Sequence, residues 1–201
     1  MNEFKINWTY SIFLAAAIGT VIVMSGCGGR AVVPVSYNSH KAEDGSFKIE
    51  YPAEWELESG GRSGYTWAKF TSGSAEISID ANVVGSLMAD IASRGRPSAV
   101  VYNPDEDTAP VAVVHEKERE GFEESAGVKE QKPSPVQTGL IDARRSEFSG
   151  TKTFGGSIHG YRVTALSSTK RICVICQCPE SEWEALKPAF DKVIASVGMG
   201  R

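Results

Sequence analysis

From Ser46 to Tyr51 apolar and polar residues alternate, with Phe47, Ile49 and Tyr51 against Ser46, Lys48 and Glu50. This period of two predicts a strand with one face inward, stopped by Pro52. Trp55 and Leu57 alternate again beyond the stop. Two further alternations, Tyr65 to Phe70 and Glu76 to Asp80, flank Ser72-Gly73-Ser74. That turn composition predicts a hairpin, so the first half reads as an antiparallel meander. Trp55, Trp67 and Trp183 fall on positions predicted to face inward, where packing outweighs ligand stacking.

Leu87, Met88 and Ile91 recur at helical spacing, with Gly95 as a C-terminal stop, which predicts a short helix. Arg96 to Ala109, with Pro97, Pro104 and Asp105-Glu106-Asp107, reads as a solvent-facing excursion. A second helix is predicted from Pro110 through Val111, Val114, Glu118 and Phe122, with Lys132-Pro133-Ser134-Pro135 ending it. Asp142 to Phe148, Tyr161 to Leu166 and Arg171 to Gln177 are strand-like. The stretch Ile172 to Cys176 is apolar on both faces, which predicts a strand inside a sheet with helices on either side. Trp183, Leu186, Phe190, Val193, Ile194 and Val197 then follow at helical intervals. Ser181 and Glu184 are spaced as a capping box, Gly198 is a stop, and Pro188 should kink this helix or delay its regular start. The fold class expected is α+β, a mainly antiparallel sheet with helices on both faces.

Ahead of these elements, Ile12 to Met24 is a continuous run of mostly apolar residues ending in Ser25-Gly26-Cys27. The run is shorter than the roughly 20 residues a membrane-spanning helix needs, and matches the core of a signal peptide. Met24-Ser25-Gly26-Cys27 resembles the bacterial lipobox, in which the cysteine becomes the first residue and is acylated. Residues 1–26 are thus expected to be a lipoprotein signal peptide and Cys27 the lipidation site. Two or more acyl chains at about 0.8 kcal/mol per buried methylene give a stable membrane anchor. Gly28 to Gly45, rich in small residues, reads as a tether, with one domain from Ser46 to the end. This predicts a membrane-anchored envelope protein, with Gly28 favouring the outer membrane where a cell has two.

The chain carries 21 Lys and Arg against 25 Asp and Glu, a net charge of −4, so the basic surplus of a nucleic-acid binder is missing. Its 41% hydrophobic content is that of a globular domain.

Gly45-Ser46-Phe47-Lys48-Ile49-Glu50-Tyr51-Pro52-Ala53-Glu54-Trp55 resembles the opening strand of PsbP-like and DcrB-like proteins. Trp183 to Ser196 is similar to their closing helix. The resemblance implies an α/β/α sandwich from about Ser46 to Val197. It also implies an extrinsic protein or lipoprotein at a membrane face that binds or supports other proteins. These are packing motifs, and they carry fold rather than activity.

Cys173, Cys176 and Cys178 invite a metal, disulfide or redox reading. Along a strand, however, Cys173 faces opposite to the other two, which favours buried thiols, Cys178 being the most reachable. His115-Glu116-Lys117-Glu118-Arg119 lacks the second histidine of a zinc protease helix. His40, His115 and His159 form no cluster by spacing and read as surface residues. No Gly-x-Ser-x-Gly elbow or phosphate loop occurs, and no metal or cofactor is expected.

Asp105, Glu106, Asp107, Glu116, Glu120, Glu123 and Glu124 gather negative charge in one region. They read as a solvated face or as a surface that meets a basic protein partner. A lipid-anchored binding or scaffold module is the favoured function. The alternatives are an envelope hydrolase with a site assembled from distant residues, or a thiol or metal carrier.

Overall fold

The computed structural model describes residues 30–83, 107, 109–140, 142–151, 156–167 and 169–200. Strands β1 (Tyr37–Lys41) and β2 (Lys48–Pro52) form an antiparallel hairpin. A larger sheet follows from β3 (Glu56–Arg62), β4 (Tyr65–Ser72), β5 (Ala75–Val83), β6 (Val128–Glu130), β7 (Ser134–Pro135), β8 (Asp142–Thr151), β9 (Ser157–Leu166) and β10 (Lys170–Pro179). Its order is β3-β4-β5-β10-β9-β8-β6, with β7 also on β8, and every pairing is antiparallel. The helices are α1 (Pro110–Ala126) and α2 (Trp183–Ser196), the latter entered through a 3-10 turn at Glu180–Glu182.

Strand β10 lies between β5 and β9, as a strand apolar on both faces requires. Alternation sorts the residues of β9. Tyr161, Val163 and Ala165 join a core with Phe47, Ile49, Phe70, Ile77, Val174, Trp183 and Phe190. Arg162 and Thr164, on the intervening positions, meet α1 through the backbone and ring of His115. Helix α1 packs chiefly on β6, β8 and β9, and α2 on β2, β9 and β10.

Pairing begins at Tyr37, so much of the expected tether belongs to the fold. Ala31 is buried, and its N–H donates to Glu182 at 3.0 Å. Strand β1 lacks apolar alternation and is held by its ladder to β2. Helix α1 stops at Ala126 instead of Lys132, because Gly127 takes the left-handed conformation at φ 66° and its N–H caps the Glu123 carbonyl. That turn leads directly into β6.

Helix α2 is regular from Trp183 with Pro188 inside it, so the proline does not delay its start. The Ser181/Glu184 capping box does not form, because the 3-10 turn occupies the place of a cap. The helix also ends before Gly198: Val197 is extended and Gly198 bridges Lys48 of β2. Trp67 is half-buried on the far side of β4 from Ala68 and Phe70, and Leu57 is exposed. The helix predicted over Ser86 to Ala92, and Cys27, Asp105 and Glu106, lie outside the described residues.

Candidate functional site

The polar positions of β8 and β9 that face α1 converge beneath that helix. His115, Ser146, Arg162 and Thr164 are all at most 2% exposed. The Glu130 side chain, arriving from β6, is fully buried. Its carboxylate takes two bonds from Arg162, Nε to Oε1 at 2.7 Å and Nη2 to Oε2 at 2.6 Å. Arg162 Nη2 also donates to the His115 carbonyl at 3.0 Å, and the guanidinium lies 5.3 Å from the Phe122 ring centre. Such a forked, doubly bonded pair is the arrangement in which two buried charges can persist.

The hydrogen-bond directions fix the state of His115. Ser146 Oγ donates to Glu130 Oε1 at 2.6 Å, so the same oxygen accepts from His115 Nε2 at 2.7 Å. Nδ1 then accepts from the Thr164 hydroxyl at 2.9 Å. The imidazole is neutral with its proton on Nε2, an assignment made from the network. Burial first, then the positive Arg162, Arg119 and Arg144, holds His115 down at about 3. A serine nucleophile needs the opposite polarity, its hydroxyl donating to histidine. This histidine donates to the serine, so the Ser146, His115 and Glu130 cluster ties α1 to the sheet and does not activate Ser146. Among the described residues no buried polar side-chain atom lacks a partner.

His115 is therefore a core residue and not the surface residue expected. His159 is also largely enclosed: its nitrogens meet Glu147 at 2.8 Å and Glu180 at 3.0 Å, and its ring stacks on Trp183 at 4.1 Å. His40 is half-buried, edge-on to Phe70. Ser146, Arg162, Thr164 and Glu130 were missed in the sequence. On β9 their signal is polar Arg162 and Thr164 alternating with apolar Tyr161, Val163 and Ala165, whereas Ser146, between Arg145 and Glu147, and Glu130, after Lys129, carry no such signal.

Cys173, Cys176 and Cys178 are free and buried. Cys173 faces α1's side while Cys176 and Cys178 lie in the main core, as strand alternation requires. Cys178 is 1% exposed and so is not reachable at the strand end. Burial pushes Cys173 and Cys178 up to about 12 and raises Cys176 as well. Among the described residues no three His, Cys, Asp or Glu side chains are grouped to hold a metal ion.

The acidic residues divide into two sets. Asp107 binds Arg144 through both carboxylate oxygens, which lowers it. Glu123 accepts from the Glu130 N–H at 2.8 Å, from Lys129 at 3.0 Å and from Arg119 at 3.3 Å. The Glu130 N–H, then Lys129, brings it down to about 2. Both carboxylates are thus engaged within the fold. Glu116 reaches Arg119 at 3.3 Å but is 56% exposed. Glu120 and Glu124 are exposed and continue the Glu116 stripe at i,i+4 spacing. Beside them an open cleft of about 510 Å³ is lined by Glu120, Glu124, Gly127, Lys129 and Gly150.

No protein-family profile matches the chain, and no curated protein matches it. Solved structures do. The cyanobacterial PsbP (CyanoP) from Synechocystis sp. PCC 6803 is 14% identical, with TM-score 0.56 over 88% of this chain and 98% of that one. LpqN, described as involved in cell envelope biogenesis of Mycobacterium tuberculosis, is 14% identical, with TM-score 0.48 over 82% of this chain and 90% of that one. At such identities the likeness is one of fold, and the CyanoP superposition identifies that fold as PsbP-like.

Proposed function

We propose that this chain is a non-enzymatic, lipid-anchored protein of the cell envelope that binds a basic protein partner on the outer side of α1. Its domain is then an α/β/α sandwich with α1 and α2 on opposite faces, held to the membrane through acylated Cys27. The observation that carries the reading is the exposed stripe of Glu116, Glu120 and Glu124. It runs into the C-terminal half of a helix with no basic residue in its last turn. Carboxylates at the negative end of a helix dipole, spaced i,i+4, cost stability by a few tenths of a kcal/mol each. Glu123 offsets that cost through Lys129 and the Glu130 N–H; Glu120 and Glu124 have no such partner among the described residues. Uncompensated surface charge of this kind fits a complementary partner and a salt-dependent encounter. The burial of the three thiols and of His115 further supports a binding role over a catalytic one.

Reversing Glu116, Glu120 and Glu124 to Lys, followed by chemical crosslinking at low and moderate salt, tests the surface. Loss of neighbours at low salt is expected, and recovery of the same neighbours in the same amounts contradicts it. The anchor is tested separately by intact mass. A chain beginning at Cys27 with added acyl mass is expected, and one that retains Met1 to Gly26 contradicts it.

A further inference from the structure

We infer that β3 is a self-association edge, on which a second copy of this chain pairs its own β3 antiparallel about Ser59. Strand β3 forms one side of the sheet, paired only with β4 among the described residues. Six of its seven residues are exposed, Gly60 being the half-buried one. Arg62 and Tyr65 flank the two-residue turn Ser63-Gly64 and are partners. So close to a turn, such a pair must exchange both hydrogen bonds. Alternation then directs the backbone groups of Glu56, Glu58, Gly60 and Arg62 toward β4. Those of Leu57, Ser59 and Gly61 point away from the sheet and are unpaired among the described residues.

Only one antiparallel register satisfies all three outward residues against an identical strand. Ser59 meets Ser59 on the two-fold axis, and Leu57 meets Gly61 on either side of it. The intervening positions follow without further choice: Glu58 faces Gly60, and Glu56 faces Arg62 at both ends. Each end thus pairs opposite charges at non-hydrogen-bonded positions, where side chains approach most closely. The two glycines receive the larger Leu57 and Glu58 side chains of the other copy.

Edge strands that resist pairing carry charged side chains, lysine above all, or proline or a bulge. Glu56-Leu57-Glu58-Ser59-Gly60-Gly61-Arg62 has no lysine or proline, its register with β4 is unbroken, and its end charges Glu56 and Arg62 oppose each other across the two-fold axis. Gly60 also lets the Trp67 ring lie against the strand, since a Cβ there would come within 3.1 Å of the indole. The half-exposed ring adds apolar surface at the seam, in a cleft of about 340 Å³.

The test uses the full-length chain in detergent. In this register the two Ser59 Cα atoms are about 5.5 Å apart, within disulfide range. The two Leu57 Cα atoms are separated by four residue steps, about 14 Å, which is out of range. Under mild oxidation Ser59→Cys should give about tenfold more linked dimer than Leu57→Cys, with wild type as the background. Ser59→Pro removes an outward N–H and should abolish the dimer without lowering the melting temperature. Glu56→Arg should weaken the dimer and Glu56→Arg/Arg62→Glu restore it, because the swap regenerates both end pairs. Equal linking from Leu57→Cys, a dimer that survives Ser59→Pro, or a Ser59→Cys chain linked to a different protein would each overturn the inference.

Discussion

At the residue scale, His115 shows how burial decides chemistry. The sequence reads His115 as a surface residue, although Val111, Glu118 and Phe122 recur with it at helical spacing. What it cannot show is that Ser146 and Thr164 arrive from two strands to satisfy both ring nitrogens. The pH dependence follows from that geometry. Folded His115 stays neutral down to about 3, whereas in the unfolded chain it takes a proton near the ordinary value of 6.5. The unfolded state therefore binds the extra proton between these limits, and stability falls as pH drops through that window. Between pH 7 and pH 4.5 the loss should be about 2–3 kcal/mol. Urea unfolding at both pH values should show it, with a flatter dependence in His115→Gln. The Glu130–Arg162 pair gives a second prediction. Glu130→Gln leaves the Arg162 guanidinium buried without its counter-charge, at a cost of about 3–5 kcal/mol measured by the same unfolding.

At the element scale, the strongly periodic pieces are the ones legible in the sequence: β2, the β4–β5 hairpin, β9, β10 and α2. Strands β2, β4, β5 and β9 alternate and α2 recurs at helical spacing because each buries one stripe, while β10 is apolar on both faces because both are covered. Strands β1, β6 and β7 lack apolar alternation and are held by ladder bonds, β1 to the adjacent β2 and β6 and β7 to β8; no local pattern announces such pairing. Helix α2 closes the core, with Phe190 fully buried and edge-on to Trp55. Phe190→Ala should cost about 3–5 kcal/mol, seen as a sharply lowered melting temperature. Strand β10 predicts slow thiol chemistry. Alkylation of the native protein should leave Cys173, Cys176 and Cys178 unmodified on the timescale that labels them after unfolding, since a buried thiol raised this far forms almost no thiolate at neutral pH.

At the scale of the whole molecule, the PsbP-like fold joins an interior whose described polar side chains all have partners to an outer helix side with surplus negative charge. The candidate surface was only partly legible: all seven acidic residues stand out in the sequence, but two prove to be internal ties. Asp107 is committed to Arg144, and Glu123 to Lys129 and the turn that starts β6. No described helix is long and apolar enough to cross a membrane, and the proposed attachment is through Cys27. The most direct measurement is photo-crosslinking in intact cells from a reactive side chain at position 120 or 124 of α1, with position 184 of α2 as the control. A discrete adduct with a basic protein is expected from α1, weakened by Glu116→Lys and absent from α2. No adduct from either α1 position, or the same adducts from position 184, would contradict it.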